Sequence, residues 1–275
     1  MLKKDKLITF IKYLILGIAA FIVIAPIIYI VSSSFMGVSE VEKIIGNNKC
    51  DFIPESFTLI QYYELLLRKP QFLLKFMNSI ILTVPIILGQ VLISVFGAYA
   101  FAKIQFRHKN KIFFLFILLM VMPYQVTLVP VYIILKKINL IGSYFSVILP
   151  NIFSTFGVFL LTQFIKSIPD EQCLAAKIDG ASHIKILFQI ILPQCKGAIV
   201  SLVILCFIDN WNMIEQPLIL LSEDKQPMSI FLSHINEASV GVAFAAGVLF
   251  IIPSILIFIK GEKALLQGIQ HIDSK

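Results

Sequence analysis

The sequence predicts an all-α, polytopic membrane protein of about six spanning helices, and three observations predict it. Composition comes first: 58% of the 275 residues are hydrophobic and 14% are charged, against roughly 25% charged in soluble domains. The second is length, because six apolar stretches each reach the roughly 20 residues that a helix needs to cross hydrocarbon. The third is the placement of the basic residues around those stretches.

Taken in order, the stretches are residues 10–33, 77–102, 112–135, 144–165, 198–221 and 239–260. Each is read as a helix because lipid offers no partner to backbone N–H and C=O groups, which a helix satisfies within one segment. The first, FIKYLILGIAAFIVIAPIIYIVSS, has an apolar run longer than the roughly 7–15 residues of a signal-peptide core and no clear A-x-A site. It is therefore expected to remain as an uncleaved span. Pro26, Pro85, Pro123 and Pro130 fall inside spans one to three, where neighbouring helices satisfy the carbonyls that proline frees. Between spans one and two, residues 34–76 include FTLIQYYELLLRKPQFLLKF, expected to form a short amphipathic helix at the outer surface. No stretch is long enough for a second, soluble core and no repeat is visible, so residues 1–275 are read as one domain.

With the N-terminus inside, the inner segments collect Lys3, Lys4, Lys6 and Lys12, then Lys103, Arg107, Lys109 and Lys111, then Lys166, Lys177, Lys185 and Lys196, and finally Lys260, Lys263 and Lys275. The two short outer loops hold Lys136, Lys137 and Lys225, and the long one, whose charges count less, holds Lys43, Lys49, Arg68, Lys69 and Lys75. This asymmetry places both termini in the cytoplasm. It also accounts for the net charge of +7 as an orientation signal, with no nucleic-acid partner.

Chemistry of its own is not expected. Cys50, Cys173, Cys195 and Cys206 form no C-x-x-C pair, and His108, His183, His234 and His271 have no metal-ligand spacing, so no metal is predicted. The sequence has neither a G-x-x-x-x-G-K-[ST] phosphate loop nor a G-x-S-x-G elbow, and its spans carry no paired ionisable groups for a proton relay. The chain is read as a non-enzyme without a cofactor; any ATP must be hydrolysed by another polypeptide.

Two polar stretches stand out. The first, about residues 166–197, lies on the cytoplasmic side between spans four and five and includes CLAAKIDGASHIKILFQIILPQ. Pro169 starts a helix, Leu174, Ile178 and Ala181 recur at i, i+4 and i+7, Gly180 permits a bend, and Ser182 caps a second helix beyond it. Ile184, Leu187, Phe188 and Ile191 then form an apolar stripe that Pro193 ends. Two short helices meeting at a bend fit this pattern. Periodicity leaves open whether they rest beneath the bundle or dock a soluble partner.

The second stretch is FIDNWNMIEQP, residues 207–217, in span five. A charge near mid-bilayer costs about 2.5–3.5 kcal/mol on insertion scales, so Asp209 is expected to face protein or water. Asp209, Asn212 and Gln216 share a helical face, and Trp211 offers an apolar ring, so this stripe either lines a path for a hydroxylated solute or joins helices by side-chain hydrogen bonds. Glu215 is placed near the outer interface.

IPDEQCLAAKIDGASHIKILFQIILP resembles the cytoplasmic signature loop, often called the EAA loop, of permease subunits in binding-protein-dependent ABC importers, whose usual form is I-P-x-E-L-x-E-A-A-x-I-D-G-A and then, after a spacer, L-P. Asn78 and Ser79, GAYAFAKIQF at 97–106, MPYQVTLVPVYIIL at 122–135 and WNMIEQPLILL at 211–221 are similar to segments of the carbohydrate-uptake branch, specifically its maltose-type second permease. The resemblance implies the type I ABC importer permease fold in a bacterial inner membrane, with the loop as a coupling helix seated in a cleft of a cytoplasmic ATPase. Carried over by position, Glu171, Leu174, Ala175, Ala176, Ile178, Asp179, Gly180 and Ala181 form that coupling element. Leu174 stands where the family has glutamate and Gly197 where it has proline. Glu171, one turn before Leu174, supplies an acidic contact from nearly the same face. The implied assembly adds a homologous sister permease, two ATPase subunits that bind ATP and Mg, and an extracellular solute-binding protein. The implied cargo is a sugar or oligosaccharide. The alternatives are another solute, such as an amino acid or glycerol phosphate, and a stand-alone channel or ion-coupled carrier.

Overall fold

The computed structural model describes residues 2–47, 52–68, 71–234 and 240–273, and every regular element among them is a helix. Cys50, Lys49, Lys69 and Lys275, and the side chains of Lys3, Lys4 and His271, lie outside the described residues. In chain order the helices are α1 (Leu2–Ser33), α2 (Val38–Asn47), α3 (Ile60–Tyr63, continued by a π turn, Glu64–Arg68), α4 (Gln71–Lys103), α5 (Lys109–Val121), α6 (Tyr124–Lys137), α7 (Phe145–Asn151) and α8 (Thr155–Ser167). They continue as α9 (Asp170–Ile178), α10 (His183–Ile186, continued by a π turn, Leu187–Ile191), α11 (Leu192–Gln194), α12 (Lys196–Trp211), α13 (Glu215–Leu220), α14 (Met228–Ser233) and α15 (Val240–Asp273).

Four stretches are long and apolar enough to cross a bilayer by themselves: Thr9–Ser33, Gln71–Lys103, Phe145–Ser167 and Val240–Lys263. The number rises to six if two bent pairs each count as one span, Lys109–Val121 with Tyr124–Lys137 and His183–Gln194 with Lys196–Trp211. The expected third span, 112–135, is thus not one rod: α5 and α6 meet at 99°. Pro123 explains the break, since it lacks an N–H and drives the preceding residue out of the helical region, and Met122 sits at φ −69°, ψ 125°. Pro26, Pro85 and Pro130 lie within continuous helices. The expected fifth span, 198–221, is interrupted as well. The Asn212 amide turns back to the Ile208 carbonyl at 2.7 Å, a side-chain bond that competes with continuation of the helix, and α12 stops at Trp211.

The chain divides into two compact units, whose described residues fall within Met1–Leu74 with Phe231–Ile252, and within Lys75–Ile230 with Pro253–Lys275. In the first, the segment after α1 folds on itself through two short helices, α2 and α3, where one amphipathic helix was expected. Phe35 stacks on Phe57 at 4.5 Å, the Ser34 and Tyr62 hydroxyls meet at 2.8 Å, and Glu40 accepts the Glu55 N–H at 2.7 Å. Met36 and Leu65 are fully buried, and Tyr29 meets the edge of Phe244 in α15 at 5.8 Å.

The second unit has two apolar cores. One gathers Leu82 and Ile86 of α4, Leu135 of α6, Val147 and Ile148 of α7, and Leu220 and Leu221. The other joins α4 (Val95, Ala98, Tyr99), α8 (Leu161, Ile165) and α12 (Ala198, Leu202, Cys206) to Cys173, Ile186, Leu187 and Ile191 of the segment between α8 and α12. Close approach sets part of this packing: a Cβ on Gly89 would lie 2.6 Å from Ile152 Cγ2. At the end of the unit away from the α9–α11 segment, Asn78 donates to the Asp224 and Gln226 carbonyls at 2.8 and 3.1 Å and accepts from Tyr144 Oη at 2.6 Å. Ser79 Oγ accepts the Met228 N–H at 2.8 Å. These bonds fix the loop after α13.

Candidate functional site

The segment from Pro169 to Cys195 forms an elbow of two arms. Pro169 occupies the cap position, with φ −56° and ψ 138°, and α9 begins at Asp170. The arm ends in a Schellman turn: the Ala181 N–H reaches the Ala176 carbonyl at 2.9 Å and the Gly180 N–H the Lys177 carbonyl at 3.0 Å. That closure requires a left-handed residue just past the helix, which is Gly180 at φ +79°. Ser182 then caps the second arm, accepting the Lys185 N–H at 3.3 Å. This arm ends beside Pro193 at Cys195, where the chain turns 79° into α12.

The elbow is tied to α4 at two points, one on each arm. Lys103 Nζ donates to the Ile168 carbonyl and to Asp170 Oδ1, both at 2.5 Å, and one turn earlier Tyr99 Oη pairs with His183 Nδ1 at 3.0 Å. Positions i and i+4 share a helical face, so one side of α4 grips both arms. Gln194 Nε2 donates to Gln172 Oε1 at 2.9 Å, joining the arms to each other. Hydrogen bonding and charge from Lys103 hold the Asp170 carboxyl below its ordinary pKa. Cys195 is buried among the core residues at the end of the elbow, an apolar setting that makes its thiol an inert packing group.

The apolar positions of the elbow divide between two faces, and this corrects the expected stripes. Cys173, Ile186, Leu187 and Ile191 point into the core, whereas Leu174, Ile178, Ile184 and Phe188 are exposed, Ile178 to 87%. Leu187 with Ile191 and Ile184 with Phe188 are separate i, i+4 pairs on different sides of the second arm. Of the residues that the signature loop singles out, Glu171, Leu174, Ala175, Ile178, Asp179 and Gly180 are exposed, while Ala176 and Ala181 pack against the core. The elbow therefore leaves Leu174, Ile178, Ile184 and Phe188 uncovered, with the acidic Glu171 and Asp179 exposed on the same segment.

The second site is a cleft of about 480 Å³ at the α12–α13 break. Asp209, Asn212 and Gln216 line it together although the break places Gln216 in α13 and not on one continuous helical face with the other two, and Glu215 and Tyr124 join them. Trp211 does not. Its ring is 2% exposed, stacked on Phe207 at 5.2 Å and edge-on to Phe76 at 5.6 Å, so the one tryptophan is a packing anchor and not a wall of the cleft.

Three residues that sequence reasoning passed over hold the cleft in shape. Asn210 donates to Gln90 Oε1 at 3.3 Å, Gln90 donates to the Asn151 carbonyl at 2.8 Å, and Asn151 donates to Gln216 Oε1. This chain links α12, α4, α7 and α13, so Gln216 joins helices while Asp209 and Asn212 remain exposed in the cleft. A glutamine and two asparagines inside apolar runs were the available signal, since buried amides in a membrane bundle find partners across helices. Gln125 Nε2 donates to both oxygens of Glu215, at 3.0 and 3.2 Å. The acidic residues of the lining are Asp209 and Glu215, and no lysine, arginine or histidine joins them among the described residues.

Residues 3–260 match the family model described as binding-protein-dependent transport system inner membrane component. The arabinooligosaccharides transport system permease protein AraQ of Halalkalibacterium halodurans is 26% identical over 254 residues, covering 91% of this chain and 90% of that protein. The sn-glycerol-3-phosphate transport system permease protein UgpE of Yersinia pestis is 28% identical over 208 residues, covering 74% and 73%. Among solved structures, a chain of a bacterial ABC transporter involved in the import of the acidic polysaccharide alginate superposes with a TM-score of 0.83 at 24% identity, covering 95% of this chain and 98% of that one. A chain of the alginate transporter in complex with an alginate pentasaccharide-bound periplasmic protein gives 0.67 at 17% identity, covering 94% and 93%.

Proposed function

Because the chain belongs to the binding-protein-dependent transport system inner membrane components, and so is a multi-pass inner-membrane permease subunit of an ABC importer, we propose that it passes a sugar or oligosaccharide delivered by an extracellular solute-binding protein. In this family ATP hydrolysis belongs to a separate subunit, and the permease carries no cofactor. The full assembly in this reading adds a homologous sister permease and two cytoplasmic ATPase subunits, with both termini of this chain in the cytoplasm.

One observation carries the mechanism: the elbow is exposed on one side and bolted to the bundle on the other. Glu171, Leu174, Ala175, Ile178 and Asp179 present the contact surface to an ATPase, with Leu174 giving an apolar contact where a carboxylate is usual and Glu171 restoring the charge one turn away. Ala176, Gly180 and Ala181 set the bend. Closure of the ATPase pair on ATP then displaces the elbow as a rigid body. Lys103 and Tyr99, together with the core shared by α4, α8 and α12, carry that displacement into the spans. The cleft at Asp209, Asn212 and Gln216 is this chain's share of the solute path, and its amides suit hydroxyl groups. The Asn210–Gln90–Asn151–Gln216 chain is the scaffold behind it. AraQ, matched over most of its length, supports the oligosaccharide reading.

Co-isolation of the assembled transporter with its binding protein, and then mass-spectrometric identification of the trapped ligand, tests the cargo. Labelling of a cysteine placed at Ile178 by a membrane-impermeant reagent tests the elbow. Reaction from the outer face of intact cells overturns its cytoplasmic placement.

A further inference from the structure

We infer that this permease passes neutral or cationic polyhydroxylated solutes and rejects anionic ones such as sugar phosphates and uronates. The inference rests on reading the cleft as the solute path, and on the charges and hydrogen-bonding groups that line it. Asp209 is exposed in its lining. Glu215 is held at the start of α13 by the Gln125 amide, which fixes the carboxylate without neutralising it. No cationic side chain lines the cleft among the described residues.

Hydrogen bonding leaves the choice to charge. Asn212 sends one amide N–H to the Ile208 carbonyl at 2.7 Å, and its oxygen and second N–H remain for the cleft. Asn210 sends its amide to Cys206 O and Gln90 Oε1, and Asn151 sends its amide to Val147 O and Gln216 Oε1. Gln216 accepts from Asn151 through its oxygen and brings its own amide N–H groups to the lining, so the cleft holds donors as well as acceptors and sorts solutes by charge. A sugar hydroxyl can donate to or accept from these amides. A phosphate or carboxylate brings negative charge to a cleft that already holds the Asp209 and Glu215 carboxyl groups, where fields are focused. This separates the chain from relatives named for glycerol phosphate or alginate.

The test uses the whole transporter, so that the sister permease contributes its share of the field. Asn212→Cys is reacted with a trimethylammonium-ethyl methanethiosulfonate and, separately, with a sulfonatoethyl methanethiosulfonate. Modification at position 212 alone is tracked by peptide mass spectrometry, and each rate is normalised to the same reagent's rate with free cysteine. The cationic reagent should be faster by about tenfold or more, and Asp209→Asn with Glu215→Gln in the same chain should bring the ratio close to one. Equal rates, or a faster anionic reagent, with both carboxylates present would overturn the charge inference and leave the path reading standing. No reaction with either reagent would mean that position 212 is dry, and both readings would fall together.

Discussion

Replacing Gly180 isolates a single backbone angle. A Cβ added there meets nothing within 4 Å, yet φ is +79°, so substitution is opposed by conformation and not by crowding. An alanine in the left-handed region costs about 1–2 kcal/mol, and asparagine costs less because its short polar side chain tolerates that region. Since about 1.4 kcal/mol is a factor of ten in an equilibrium constant, Gly180→Ala should lower the ratio of bent to unbent elbow roughly tenfold, and Gly180→Asn should lower it less. Gly180→Pro also locks φ near −65° and deletes the N–H that reaches the Lys177 carbonyl at 3.0 Å, so it should abolish the bend. Binding-protein-stimulated ATP hydrolysis in the reconstituted transporter should fall in the order Gly, Asn, Ala, Pro, with the subunit still inserted in the membrane. An alanine variant as active as glycine beside a weaker asparagine variant would show that bulk, not the dihedral, matters. Coupled transport by the proline variant would end the lever argument.

Lys103→Met should lower complex stability by about 1–3 kcal/mol, because it strands the Ile168 carbonyl, whereas Asp170→Asn, at the exposed carboxylate of the pair, should cost under about 1 kcal/mol; thermal melting of the purified complex separates them. The folded-state pKa of Asp170 is depressed, so its contribution is complete above the ordinary carboxylate pKa and is lost as pH falls through the lower folded value. The wild-type melting temperature should therefore show no change from this pair between about pH 5 and pH 8, a range set on the general carboxylate scale, and should feel its loss only in stronger acid. Trp211→Ala should destabilise by about 3–5 kcal/mol, as expected for a buried aromatic. Asp209→Ala should instead change uptake kinetics at unchanged melting temperature; the reverse pattern would make Asp209 a helix joiner. Gly89→Ala should cost about 1–3 kcal/mol by forcing Ile152 aside, read by the same melting assay.

The elbow was largely legible because its determinants are local: Pro169, Gly180, Ser182 and Pro193 act on their own backbone and immediate neighbours. The spans were legible in approximate place, and in number where each bent pair counts as one, since hydropathy needs no knowledge of the fold. Breaks were not. Pro85 and Pro123 both sit in apolar runs, yet one is absorbed in α4 and the other parts α5 from α6 at 99°, a difference that tertiary packing decides. Trp211 was misread for a similar reason, because Phe76 reaches it from a helix distant in sequence, with the ring contact at 5.6 Å. The Gln90, Asn151 and Asn210 chain depends on three helices converging. No window of sequence contains that information.

The corner at Met122 and Pro123 bears on the fate of an unassembled subunit. Helix ends leave backbone donors and acceptors unmatched, no side chain caps the start of α6, and Val121 is 74% exposed beside the corner. Acyl chains cannot satisfy such groups. A lone copy that meets lipid at this corner should be cleared quickly by the cell's membrane proteases, and steady abundance should require co-expression of whatever polypeptide shields that flank.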